Sequence, residues 1–138
     1  MTDAERDDRP GEEQVLADMQ ARVDDLLDPD ADDSERAMIG RLFTSFVQRL
    51  PGALHAVEQA LRAGEPRALA TSSHSLQGMA SNIGGRRLTS VAAAIEDAAR
   101  SGVLPHPADV EPQLRREAAL ALRVAGRLGP ALVAPRAA

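Results

Sequence analysis

The chain of 138 residues contains no cysteine, tyrosine, tryptophan or lysine, and its only aromatic residues are Phe43 and Phe46. Without cysteine there are no disulfides, thiol nucleophiles or cysteine-based metal sites. So few aromatic side chains disfavour nucleic-acid binding by base stacking. No apolar run approaches the roughly 18 residues that a membrane span needs, and the acidic N-terminus lacks a signal-peptide core. We therefore expect a soluble cytoplasmic protein that binds neither membrane nor nucleic acid.

Charge is divided unevenly along the chain, although the net charge is only −5. Residues 1–35 carry 14 acidic side chains and 3 arginines, whereas residues 36–138 carry 7 acidic side chains and 13 arginines. A mildly basic body fits an acidic or phosphorylated partner, although ordinary solvated helix faces would give the same balance. Arg86 and Arg87 begin a predicted helix, where cations oppose the helix dipole, and are a candidate partner contact.

Apolar residues recur at helical spacing along most of the chain, and no alternating pattern indicates a strand. Prolines, glycines and capping residues divide the pattern into six predicted helices. These run from about Val15 to Leu27, from an Asp33–Ser34 cap to Leu50, from Pro51 to Gly64, from Pro66 to about Asn82, from the Gly84–Gly85 turn to Gly102, and from about Ala108 to Leu128.

Short loops between these helices make neighbouring helices antiparallel. We expect an all-α fold, an up-and-down antiparallel four-helix bundle with an additional N-terminal helix. The domain is predicted to span residues 12–129. A disordered tail at 1–11 would precede it, and a tail at 130–138 would follow the last helix, which is predicted to stop at Gly129–Pro130.

One histidine, His74, falls on the polar side of the fourth predicted helix. It lies about 200° around the helix from the inward-facing Leu76 and should therefore face solvent. Ala70 and Gly78, one turn away on either side, are small and leave the ring accessible. Because glycine inside a helix costs about 1 kcal/mol relative to alanine, Gly78 indicates that open space is needed beside His74.

Folding the fifth helix back at the Gly84 turn places Glu96 opposite His74. The carboxylate could accept a proton from one imidazole nitrogen, which fixes the tautomer and leaves the other nitrogen free. Arg100, one turn beyond Glu96, and Arg67, two turns before His74, could meet an anion on the histidine.

The segment from Ser73 to Leu88, SHSLQGMASNIGGRRL, resembles the signature of histidine-containing phosphotransfer (HPt) domains. The signature has a histidine, a leucine two residues later and a glycine four residues later, then an aliphatic–glycine pair and another leucine. The spacings of Glu96 and Arg100 are also similar to family positions with a polar and a basic residue. The resemblance extends from about residue 34 to 128, and the signature positions are His74, Leu76, Gly78, Ile83, Gly84 and Leu88.

This resemblance implies a phosphorelay carrier of two-component signalling with His74 as its phosphohistidine. His74 would accept a phosphoryl group from the aspartate of a receiver domain, or from a histidine kinase, and pass it to a response regulator. The chain would be a carrier rather than an enzyme with its own turnover. It would need no cofactor, because the partner receiver brings the acidic pocket and Mg²⁺.

Gln77 departs from the family pattern, which usually has Lys or Arg three residues after the histidine. Its amide could donate a hydrogen bond to phosphate but brings no charge. The charge would then come from Arg67 or Arg100, or transfer would be slow. Two other interpretations stay open: a non-phosphorylated adaptor (a degenerate HPt domain) that binds a receiver or kinase through the same face, and a structural bundle with no signalling role.

The other candidate sites in the sequence are weaker. His55 adjoins an apolar stripe and is predicted to be partly buried and structural, whereas His106 is predicted to be a solvated loop residue. The three histidines lack metal-ligand spacing, and the acidic run at 28–33 lacks the glycine and terminal glutamate of a calcium loop. No glycine-rich phosphate loop follows a strand, so the chain is not predicted to bind ATP by itself.

Overall fold

The computed structural model describes residues 8–136, which form five α-helices and no strand. Helix α1 spans Arg9–Leu26, α2 spans Asp33–Ala63, α3 spans Pro66–Asn82, α4 spans Arg86–Arg100 and α5 spans Pro107–Val133. Both α2 and α4 pack against α3 and α5, so these four helices close into a bundle, and α1 packs against α5 and α4. The prediction of an all-α four-helix bundle with an additional N-terminal helix is confirmed.

The predicted helix boundary at Pro51 is wrong, because α2 runs through this proline without a break. A proline inside a helix costs about 3 kcal/mol. Burying one large apolar side chain contributes about 1.5–3 kcal/mol, and the same core receives Phe46 and Leu50 before the proline and Val57 after it. Burial on both sides therefore outweighs the missing hydrogen bond, and five helices form where six were predicted.

The predicted end of the last helix at Gly129–Pro130 is also wrong, because α5 continues to Val133. Gly129 serves a close helix contact: a Cβ added there would lie 2.8 Å from Oγ1 of Thr44 on α2. Leu132, beyond the proline, is buried in the core. Residues 130–133 are thus part of the bundle, and of the predicted tail only 134–136 follow the helix within the described residues.

Helix α1 begins earlier than predicted, at Arg9. Oδ1 of Asp8 accepts a hydrogen bond of 3.1 Å from the amide of Gly11 and so caps the first turn. Residues 8–11 are therefore ordered in the cap and first turn, and the disorder predicted for residues 1–7 lies outside the described residues. The cap of α2 is Asp32, one residue before the predicted pair, and its side chain accepts from the amide of Glu35 at 2.8 Å.

Glycines end or separate the helices where the sequence predicts. Gly64, Gly84 and Gly102 have φ values of 66°, 73° and 80°, a left-handed backbone that favours glycine. Gly84 turns the chain between α3 and α4, the helix pair that carries His74 and Glu96. None of the helices in residues 8–136 has the length and apolar character needed to cross a bilayer.

Candidate functional site

Helix α3 presents His74 because its apolar residues are all on the opposite side. Leu69, Leu76 and Ala80 are fully buried, and Pro66 lies in the first turn, where its missing amide hydrogen is harmless. Ser73, the residue before His74, is also fully buried, and its hydroxyl donates to the backbone carbonyl of Leu69. This packing fixes the rotation of α3 and directs His74 away from the core.

The turn between α3 and α4 sets the register that brings Glu96 to His74. The amide of Gly85 donates to the carbonyl of Ala80 at 2.8 Å, which closes the end of α3. Helix α1 lies directly against this turn, since Nε of Arg22 donates to the carbonyl of Asn82 at 3.0 Å. A Cβ on Gly84 would lie 2.5 Å from Cβ of Arg22. The N-terminal helix therefore supports the hairpin that builds the site.

The side chain of His74 is mostly exposed, and its Nδ1 contacts the buried Glu96. Its side chain is 69% exposed, whereas that of Glu96 is 9% exposed. Nδ1 lies 3.0 Å from Oε2 and 3.3 Å from Oε1 of Glu96. An ionised carboxylate only accepts hydrogen bonds, so we assign the neutral ring as the Nδ1–H tautomer with its lone pair on Nε2. Nε2 forms no hydrogen bond within residues 8–136, and most of the side chain is open to solvent.

Arg100 holds the same carboxylate from the next turn of α4. Its Nη2 and Nε lie 2.8 Å and 3.1 Å from Oε2 of Glu96, the oxygen that also contacts His74. Hydrogen bonding from Arg100, reinforced by His74, lowers the pKa of Glu96 although burial acts to raise it. Glu96 is thus an ionised, acceptor-only group at neutral pH, and Arg100 places a cation beside the ring.

Gln77 and Arg67 do not join this cluster in the structure. Gln77 is half-buried, and its Oε1 is buried with no hydrogen-bond partner among the described residues. The amide oxygen of Gln77 is thus turned away from solvent. Arg67 is exposed but lies seven residues before His74, about 10 Å along the helix axis. Within residues 8–136, Glu96 is the hydrogen-bond partner of the ring, and Arg100 binds Glu96.

The surface beside His74 is open at Gly78. A Cβ added to Gly78 would have no heavy atom within 4 Å, so neither packing nor backbone geometry requires glycine there. Ala70, one turn before His74, is half-buried and small. Together they leave a shallow surface on either side of the imidazole along α3.

The other histidines lie away from this cluster; His55 differs from prediction, whereas His106 is exposed and outside the helices, as predicted. His55 is exposed on α2, because it lies on the far side of the stripe formed by Leu54 and Val57. His106 is the N-cap of α5, where its Nδ1 accepts from the amide of Ala108 at 3.2 Å. No group of three or more His, Asp or Glu side chains in residues 8–136 is arranged to hold a metal ion.

Two ion pairs that were not predicted from the sequence bear on the roles of predicted residues. One is the pairing of Glu96 with Arg100, for which the spacing of four residues on one helix was an available signal. The other joins Arg87 to the buried Glu117 of α5 at 2.7 Å, so Arg87 stabilises the bundle and is poorly available for the predicted partner contact. Arg87 and Glu117 are 30 residues apart in the sequence, so no local pattern indicates that they pair.

Comparison with known proteins supports the interpretation of this site. The family model described as Hpt domain matches residues 41–123, which include most of α2, all of α3 and α4, and much of α5. The match contains His74, Glu96 and Arg100 and leaves α1 outside. No curated protein and no solved structure matches the chain. The match covers more than half of the chain, and the chain therefore belongs to the Hpt domain family, whose role is phosphotransfer in two-component signalling.

Proposed function

We propose that the protein is a phosphorelay intermediate that carries a phosphoryl group on Nε2 of His74. One observation carries the proposal: Glu96 contacts Nδ1 of His74, whose side chain is 69% exposed, and Nε2 has no hydrogen-bond partner within residues 8–136. The nucleophile in this proposal is the neutral imidazole, whose lone pair is on Nε2. The proposal places the protein in the cytoplasm with its partners.

The donor and acceptor in this proposal are receiver domains, with a histidine kinase as an alternative donor. The lone pair of Nε2 attacks the phosphorus of the receiver's aspartyl phosphate, the P–N bond forms, and the aspartate carboxylate leaves. The proton stays on Nδ1, shared with Glu96. Such transfers depend on positioning and charge neutralisation, and the receiver contributes the Mg²⁺ that neutralises the phosphoryl oxygens.

Cationic support on this chain is assigned first to Arg100. Its side chain is 62% exposed, and its guanidinium already lies at the carboxylate that contacts His74. A short movement toward solvent would direct its free N–H groups at a phosphoryl group on Nε2. Arg67 would contribute only long-range attraction from its position two turns away, and Gln77 supplies no charge.

Docking is assigned to the open face of α3 on either side of His74. A receiver must bring its aspartate within a few ångströms of Nε2, so side chains larger than Ala70 and Gly78 would hold it away. The absence of any neighbour around the Cβ position of Gly78 fits such a surface.

The test is incubation of the protein with phosphorylated receiver domains encoded near its gene, followed by measurement of acid-labile phosphate. The wild-type protein should gain phosphate, and His74→Gln should gain none. His55→Gln removes another exposed histidine, on α2, and is the matched control that should behave as wild type. Receiver binding without phosphate on the wild-type protein would favour the adaptor interpretation, and absence of both would favour a structural bundle.

A further inference from the structure

Glu96 restricts the protonation state of Nδ1 of His74 more than a neutral hydrogen-bond partner would. A glutamine amide at this place could accept from a protonated Nδ1 or, after rotating, donate to an unprotonated one. An ionised carboxylate can only accept. The contacts of 3.0 Å and 3.3 Å therefore favour a ring with a hydrogen on Nδ1 over a ring without one.

This preference matters after phosphorylation, when the ring can hold or lose its remaining proton. Attack by neutral His74 yields an imidazolium that has the phosphoryl group on Nε2 and hydrogen on Nδ1. When the P–N bond of that form breaks, the bonding electrons return to Nε2 and the leaving group is neutral imidazole. Without the Nδ1 proton, the leaving group would be imidazolate, a far stronger base and a poorer leaving group.

We infer that Glu96 retains the proton on Nδ1 of phosphorylated His74, so that transfer of the phosphoryl group to an aspartate or to water releases a neutral imidazole and the carrier is reactive and short-lived. The inference rests on the proposed function and specifies how His74 releases what it carries. Glu96 is here a positioning residue, because it acts on the reacting nitrogen through the ring.

The charges around the ring are compatible with this role. From α4, Arg100 binds Oε2 of Glu96 and keeps the carboxylate ionised without removing its contact to Nδ1. The carboxylate of Asp97, also on α4, forms no hydrogen bond or ion pair within the described part of the chain, and Arg67 is the exposed cation on α3. From the remaining helices, no hydrogen bond or ion pair reaches His74 within residues 8–136. Glu96 is the acceptor that holds Nδ1.

The test phosphorylates His74 with a small-molecule donor, so it does not depend on a cognate receiver. The background carries His55→Gln and His106→Asn, which leaves His74 as the single histidine and keeps a capping side chain on α5. Phosphoramidate is the donor: Nε2 attacks its phosphorus and ammonia leaves. Glu96→Gln is compared with the parent, and Asp97→Asn is the matched control that removes the same charge one residue away.

Two measurements follow at about pH 8, above the ordinary histidine pKa. In the parent, the ¹⁵N shift of Nδ1 should be that of a protonated nitrogen, and in Glu96→Gln that of an unprotonated one. The half-life of the phosphohistidine should be about tenfold longer in Glu96→Gln, because the fraction of rings with hydrogen on Nδ1 should fall from nearly all to roughly a tenth. Asp97→Asn should match the parent in both.

The inference is overturned if Glu96→Gln and the parent lose phosphate at the same rate, or if Nδ1 is already unprotonated in the parent. It is also overturned if Asp97→Asn lengthens the half-life as much as Glu96→Gln, since a general charge effect would then suffice. These results differ from a failure of the proposed function, which would be seen as the absence of transfer from phosphorylated receivers to His74.

Discussion

Nδ1 of His74 on α3 lies 3.0 Å from Oε2 of Glu96 on α4, and this contact divides the imidazole into a held nitrogen and a free one. The contact depends on the Gly84 turn, which sets the register of the two helices, and on Arg100, which keeps the carboxylate charged. A single pair of side chains therefore links the fold of the bundle to the chemistry proposed for it.

Enlarging Gly78 should block transfer without unfolding the bundle. Gly78→Gln adds a side chain to open surface beside His74, so a receiver could no longer approach. Gly126 on α5 has equally open surroundings, and Gly126→Gln is the matched control. Each substitution should stabilise its helix by up to about 1 kcal/mol, measured by urea denaturation. Only Gly78→Gln should lose phosphate uptake from a phosphorylated receiver, and full uptake by this variant would refute the steric role of the glycine.

A cation at position 77 should strengthen phosphate handling. Gln77 is half-buried and leaves Oε1 buried without a partner within residues 8–136. A lysine can place its ammonium at the surface while its stem covers the same apolar neighbours. Gln77→Lys should therefore speed formation of phosphohistidine or lengthen its lifetime in a time course of acid-labile phosphate. Gln77→Met, which fills similar space without charge, should not. If both match wild type, Arg100 already supplies enough charge.

Acid should weaken the bundle through Glu58 as well as Glu96. Hydrogen bonds of 2.9 Å and 3.0 Å from Arg115 lower the pKa of Glu58. A carboxyl whose pKa is lower in the folded state adds stability above its unfolded pKa of about 4.3, and this stability is lost as pH falls through the folded pKa. Because Arg115 is half-exposed, solvent limits the contribution to about 0.5–1 kcal/mol.

The corresponding measurement is urea denaturation of wild type and Glu58→Gln at pH 7 and at about pH 3, below the ordinary carboxyl range. The variant should be less stable than wild type at pH 7, and the difference should shrink at the lower pH. A difference that stays constant over this range would show that the ion pair does not contribute as described.

Gly84 should be far less tolerant of alanine than Gly102. Both have positive φ, 73° and 80°, so alanine at either position costs about 1–2 kcal/mol in backbone strain. At Gly84 the new methyl group would also meet Arg22 of α1 at 2.5 Å, whereas at Gly102 it would meet nothing within 4 Å. Gly84→Ala should therefore lose about 2–4 kcal/mol of unfolding free energy. If urea denaturation shows equal losses of unfolding free energy in Gly84→Ala and Gly102→Ala, the contact between α1 and the turn does not contribute as described.

The sequence predicted the bundle because helical periodicity and the glycine turns are local signals. Among the boundaries that it misplaced, those at Pro51 and at Gly129–Pro130 differ because core burial and a close contact between α2 and α5 override local propensity there. Contacts between residues that are distant in the sequence cannot be recognised from the residues next to the boundary.

At the site, the facing of His74 and Glu96 could be predicted from the turn at Gly84. The inward placement of Gln77 could not, because it depends on how the half-buried side chain fits beside the core. The coupling of Arg100 to Glu96 has a signal in the spacing of four residues, but the burial of Glu96 to 9% of its side-chain surface depends on the packing of α3 against α4.

The central claim is that the phosphoryl group resides on Nε2 of His74, and ³¹P–¹⁵N NMR of the protein after transfer from a phosphorylated receiver tests it most directly. The account predicts one P–N bond, with coupling to Nε2 of His74, in the wild-type protein and none in His74→Gln. Phosphorus bound to Nδ1, to His55 or to no nitrogen in the wild-type protein would contradict it.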